Sequence, residues 1–158
     1  MDRTITRTYG LLLLAGLMSS LAACGSRAPK LEPPRVKLVS LVVEDQRRFD
    51  VDLRLSNPAA RPMTVDQVRL ELTIDGESLP PLAPDFTGVL PSLGEELLSV
   101  SGRLPASVAG RLAPLAEGRR SQLPLEISGE VQHSGGMSFD VEQNGWLSAT
   151  PGRPWQFR

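Results

Sequence analysis

Phe49-Asp50-Val51-Asp52-Leu53-Arg54-Leu55-Ser56-Asn57-Pro58 places apolar side chains at 49, 51, 53 and 55 and polar ones between them. A period of two residues sends successive side chains to opposite faces of an extended chain, so this stretch predicts a strand with one face in a core and one in water. Asn57-Pro58 closes it. Pro58 biases Asn57 toward extended geometry, and the Asn amide can hydrogen-bond nearby backbone and end the strand. The same alternation recurs in Val68, Leu70, Leu72 and Ile74, in Leu98, Val100 and Leu104 (with Gly102 interrupting), and in Leu123, Leu125, Ile127 and Val131. Met137, Phe139 and Val141 complete the series. Val36 to Val43 is apolar at both parities, which predicts a strand covered on both sides or at its ends.

The segments between these runs are turn-formers. Asp75-Gly76 is a tight-turn signal after Ile74, and Ser134-Gly135-Gly136 reads as a hairpin. Pro80, Pro81 and Pro84 make the stretch after Glu77 an edge or a loop. One segment has a different period: Val108, Leu112 and Leu115 fall at helical spacing, with Pro105 suited to the first turn and Gly118 to the stop. About seven short strands with one short connecting helix predict an all-β, immunoglobulin- or fibronectin III-like β-sandwich. With aromatics at 4%, its core is built mostly from Leu and Val.

Composition narrows the chemistry. The chain has 158 residues, one Cys, one His and a formal net charge of -1. A single Cys excludes an intramolecular disulfide, a CxxC pair and a multi-thiolate metal site. A near-neutral charge gives no signal for nucleic acid. No cofactor, metal or nucleic-acid partner is expected, and an enzyme is the least expected class because no nucleophile–base pair is visible.

The N-terminus reads as an address. Arg3 and Arg7 precede an apolar run from Leu11 to Leu17, which is followed by small residues and Leu21-Ala22-Ala23-Cys24. A basic n-region, a short apolar h-region and small residues before a cleavage point make a secretory signal peptide. The run is shorter than the ~20 residues that span a bilayer. Leu21-Ala22-Ala23-Cys24 resembles the lipobox of bacterial lipoproteins. That resemblance implies cleavage between Ala23 and Cys24 and acylation of Cys24, on sulfur and on the new amino group. With Gly25 rather than Asp next to the Cys, it also implies lipid anchoring in the outer membrane, facing the periplasm. The expected organisation is a signal peptide over 1–23 and an acylated Cys with a Pro-rich tether over 24–34. The sandwich domain follows over 35–149 and a C-terminal tail over 150–158.

The remaining polar groups read as structural. His133 beside its Gly-rich turn lacks a GxSxG, HExxH or other partner motif and reads as an exposed turn residue. Adjacent acids Glu44-Asp45 and Glu95-Glu96 point to opposite faces. Asp50 and Asp52 share a face and are the one weak candidate for a cation. Arg47-Arg48 and Arg119-Arg120 read as solvated loops, with phosphate or lipid-headgroup contact as the functional alternative. Trp146 reads as core or sandwich-edge packing. Trp155 sits in a tail expected to dock back on the domain, on a partner or on a membrane.

At Leu53-Arg54-Leu55-Ser56-Asn57-Pro58, followed by Arg61-Pro62, the chain resembles the LEA type 2 family, also described through its water stress and hypersensitive response domain. The likeness continues through Val65 to Ile74, Asp75-Gly76-Glu77-Ser78-Leu79 and Leu90-Pro91-Ser92-Leu93-Gly94. It closes with Leu125 to Val131, Phe139 and Gly145-Trp146-Leu147. Ala59 stands where the family often has a second Asn. The resemblance implies a small β-sandwich, associated with desiccation and other stress, that acts by binding or stabilising other molecules and has no active site. The leading expectation is therefore a non-enzymatic, lipid-anchored periplasmic domain protecting envelope components. The alternative is an accessory lipoprotein of an envelope secretion or lipid-transport complex, with an envelope protein or a lipid as partner. A third reading places an apolar lipid inside the sandwich.

Overall fold

The computed structural model describes residues 32–45 and 47–158. The signal peptide, Ala23, Cys24 and the tether through Leu31 lie outside the described residues.

Among the described residues, two antiparallel sheets carry ten strands, seven of them at least five residues long. The first sheet has the order β6-β2-β1-β10-β9, built from β6 (Glu95–Arg103), β2 (Arg48–Ser56), β1 (Arg35–Glu44), β10 (Arg153–Phe157) and β9 (Ala149–Thr150). The second has the order β4-β3-β7-β8, built from β4 (Glu77–Ser78), β3 (Met63–Ile74), β7 (Leu123–His133) and β8 (Met137–Leu147). β5 (Gly88–Leu90) pairs with the start of β3. The result is an all-β sandwich with one helix among the described residues, α1 (Ala106–Ala116), between β6 and β7.

Alternation translates directly into burial. Phe49, Val51, Leu53 and Leu55 of β2 are all buried, as are Val68, Leu70, Leu72 and Ile74 of β3. The double parity of β1 has a different cause from the one its sequence predicts. Leu38 pairs with Leu53 and Ser40 with Asp52, so Val39 is an extra residue, a β-bulge. The bulge moves the core-facing set from Val36 and Leu38 to Leu41 and Val43. One face is buried throughout, and the sequence steps across it. β3 repeats the device: Asp66 is extra between Val65 and Gln67, and the buried set shifts from Met63 and Val65 to Val68 onward.

Two glycines are set by contact. Gly102 lies opposite Phe49, and a Cβ there would sit 2.5 Å from the tip of the Phe49 ring. Gly102 therefore interrupts the pattern of β6 to admit a buried ring. Gly129, opposite Leu70, has φ +152°, and its Cβ would collide with the Arg69 carbonyl oxygen.

Helix α1 buries Val108, Leu112 and Leu115, the three residues at helical spacing. Arg111 and Arg120 both reach Asp75, at 3.5 and 3.0 Å, which ties the helix to the β3–β4 turn. That turn has positive φ at both Asp75 and Gly76, as a tight hairpin turn requires. The C-terminal tail is part of the sheet. Leu41 pairs with Phe157, and Phe157 is completely buried, so the tail docks on its own domain.

Candidate functional site

Asn57 is the one buried polar residue among the described core. Its side-chain Nδ2 donates to the carbonyls of Arg61 at 2.8 Å and Pro91 at 2.9 Å, with a longer approach to Leu90 at 3.4 Å. Its Oδ1 accepts from the Ala59 N–H at 3.0 Å. The Asn57 N–H donates to Gly94, and the Leu93 N–H to Ala59. One amide thus fastens the β2–β3 connection to the β5–β6 connection, more than thirty residues away in sequence. Asn57, immediately before Pro58 at this turn, is a structural clasp. Ala59 costs the clasp nothing, because its own contribution is a backbone N–H and C=O.

The other polar candidates are also engaged in structure. Asp52 accepts from Ser40 at 2.9 Å and Ser99 at 2.7 Å, and Asp50 accepts from Ser101 at 2.5 Å. These carboxylates join neighbouring strands by hydroxyl bridges instead of converging on a cation. His133 is half-buried rather than an exposed turn residue: Nδ1 meets the Thr64 carbonyl at 2.5 Å, beside the β3 bulge. The Ser134 N–H donates to the same oxygen. Arg119 pairs with Glu117 and Arg120 with Asp75.

Arg47 and Arg48 lie together with Arg103, which the sequence separates by more than fifty residues. They line an open depression of about 580 Å³ over Phe49 and Gly102. Arg48 pairs with Glu44. The hydrogen bond that Arg48 donates to Glu44, and then the Glu44 charge, raise the Arg48 pKa above the ordinary guanidinium value. The charges of Asp50 and Asp45 act on Arg48 in the same direction. Trp146 is not core. It is 63% exposed, pairs across the sheet with Pro124, and borders a shallow groove of about 450 Å³ with Thr73, Asp75 and Glu126. The alternation places Trp146 on the wet parity, opposite Leu147, and that parity was the available signal.

Comparison with known proteins gives a fold. No protein-family model matches the chain, and no curated protein matches it. Solved structures do match. The solution structure of AT1g01470 from Arabidopsis thaliana aligns with 84% of this chain and 93% of its own, at 12% identity and a TM-score of 0.54. The chain shares that protein's fold. A candidate late embryogenesis abundant (LEA) protein, At2g46140.1, aligns over 95% of this chain and 88% of its own at 13% identity, with a TM-score of 0.45. A protein from Archaeoglobus fulgidus aligns over 75% and 98% at 14% identity, with a TM-score of 0.43.

Proposed function

We propose that this chain is a non-enzymatic, lipid-anchored LEA type 2-like domain of the bacterial envelope that protects envelope components under water stress by binding them. The observation that carries the anchor is Leu21-Ala22-Ala23-Cys24, which holds the sole Cys of the chain a few residues after a short apolar run. Buried acyl chains contribute about 0.8 kcal/mol per CH₂, so several together hold a protein firmly to a bilayer. The stress assignment rests on the ordered motifs from Leu53 to Leu147 and on a sandwich in which the motif Asn57 is the central clasp. The binding assignment rests on what the polar candidates do. Asp50, Asp52, His133 and Asn57 each serve a neighbouring strand or loop, which leaves the outer surface to meet other molecules.

Labelled-lipid incorporation at Cys24, and its loss together with membrane retention in Cys24→Ala, tests the anchor. A variant that stays cleaved and membrane-bound overturns it. A deletion strain that survives drying and rewetting as well as its parent overturns the stress role. The accessory-subunit reading draws support from one feature of the surface, the long open edge of β8. There, stoichiometric capture of a membrane partner by the tagged chain supports an assembly role.

A further inference from the structure

The four sheet edges differ greatly in length. β9 is two residues long, and β4 and β5, which share the edge beside β3, have two and three, whereas β6 has nine residues and β8 eleven. Short edges offer little for another strand to pair with. β8 pairs with β7 residue for residue, from Met137 opposite His133 to Leu147 opposite Leu123, without a bulge. On its other side no strand pairs with it among the described residues. The chain entering β1 passes close to it, and Glu32 to Val36 face Asp140 to Gln143 across a groove of about 230 Å³. Pro33 and Pro34 have no N–H to donate, so this passing segment is poorly suited to completing the ladder.

Edges of this kind are commonly protected by Pro, Lys or a bulge. β8 has none of the three: its sequence is Met-Ser-Phe-Asp-Val-Glu-Gln-Asn-Gly-Trp-Leu. It has an acidic row instead. Asp140, Glu142, Asn144 and Trp146 alternate along the solvent side and are all exposed. Neither carboxylate has an ion-pair partner among the described residues. The next strand adds Glu126 opposite Asn144 and Glu130 opposite Asp140. β6 differs, because its Glu95 is already taken by Arg54 and Ser56.

We propose that the edge of β8 accepts, in place of the passing segment Glu32 to Pro34, an extended basic segment of a partner protein as an added strand, with Lys or Arg at alternate positions falling on the row Asp140, Glu142, Asn144 and Trp146. The inference names the partner class for the binding role proposed above and rests on that reading. Charge complementarity selects this occupant. Main-chain hydrogen bonds give a strand addition its affinity, and alternate side chains give its specificity. A cation opposite Asp140 or Glu142 meets an unpaired carboxylate, and one above Trp146 meets the indole face. The same charges disfavour a second copy of this chain. Antiparallel β8–β8 pairing centred on Val141 sets Asp140 against Glu142 in both directions, and pairing centred on Glu142 sets it against itself. Like charges directly opposite one another destabilise a ladder.

The test uses the full chain in detergent micelles, so its outcome does not depend on whether Cys24 carries lipid. The probes are a synthetic peptide with Lys at every second position and Thr between, an isomer with its lysines in adjacent pairs, and an N-methylated version of the first. The alternating peptide is expected to bind and to slow hydrogen exchange in β8. The isomer and the N-methylated peptide are expected to bind about tenfold or more weakly. The double variant Asp140→Lys, Glu142→Lys, changed only at exposed positions, is expected to lose about tenfold in affinity while melting like the parent. Equal binding of all three peptides, or protection outside β8, overturns strand addition. Failure of the alternating peptide to bind overturns the basic occupant. Concentration-dependent dimerisation with β8 protected in the absence of peptide overturns it in favour of a second copy.

Discussion

Replacing Asn57 by alanine removes the clasp between two distant loops and nothing else of comparable size. The side chain is 1% exposed. Its loss strips hydrogen bonds from the Ala59 N–H and from the Arg61 and Pro91 carbonyls, all between 2.8 and 3.0 Å. A buried polar group left unsatisfied costs about 1–3 kcal/mol. The Arg61 bond is only part-buried, so water reaches some of the vacated groups, and the expected loss is about 3 kcal/mol rather than the full sum. With an unfolding entropy of about 2.1 cal/mol/K per residue, that loss lowers the melting temperature of a domain this size by roughly 10 °C. Thermal unfolding followed by circular dichroism measures it. Asn57→Asp sharpens the test. It keeps the acceptor for Ala59 but turns an oxygen toward the Arg61 and Pro91 carbonyls, so at neutral pH it is less stable than the alanine variant. Acid restores part of the loss, because a protonated carboxyl can donate again: burial against the two carbonyl oxygens raises the carboxyl pKa in the folded state, so the recovery begins above the ordinary value of about 4 and is complete near it. An alanine variant that melts within about 2 °C of the parent refutes the clasp, since a bond network worth less than ~1 kcal/mol holds nothing together.

Other substitutions probe the rest of the frame. Gly129→Ala forces a side chain into the Arg69 carbonyl at φ +152° and is expected to cost roughly 3 kcal/mol in chemical denaturation. Gly102→Ala presses on the Phe49 ring and should cost about 1–3 kcal/mol, with much of the loss recovered in the double variant Gly102→Ala, Phe49→Leu. Phe157→Ala empties a fully buried site that ties β10 to β1, and about 3–5 kcal/mol should be lost. Trp146→Ala leaves stability within about 0.5 kcal/mol of the parent, as befits a side chain 63% exposed.

Much of the fold was legible because burial in a sandwich obeys a period of two. The four residues at 49, 51, 53 and 55 and the helical trio Val108, Leu112 and Leu115 went where their spacing sends them. The bulges at Val39 and Asp66 were not legible as bulges. An inserted residue shifts the parity of everything after it, which in β1 mimics a strand buried on both sides. β10 was hidden for another reason. Its Arg, Pro and Gln carry no alternation, and Phe157 is its one buried side chain. The Asn57 motif was visible as a turn. Its hold on Pro91 was not, because a hydrogen bond across thirty-four residues leaves no local pattern. The same holds for Arg103 meeting Arg47 and Arg48, and for the open edge of β8, which exists only once the strand order is known.

The proposed function has this sandwich work at a membrane to which Cys24 fastens it. Intact-mass and N-terminal peptide analysis of the protein extracted from membranes of its host tests that claim most directly. The expected result is a chain beginning at Cys24 whose first residue carries diacylglyceryl and amide-linked acyl mass. A chain that begins elsewhere, or an unmodified Cys24 thiol on a protein recovered from the aqueous fraction, contradicts it.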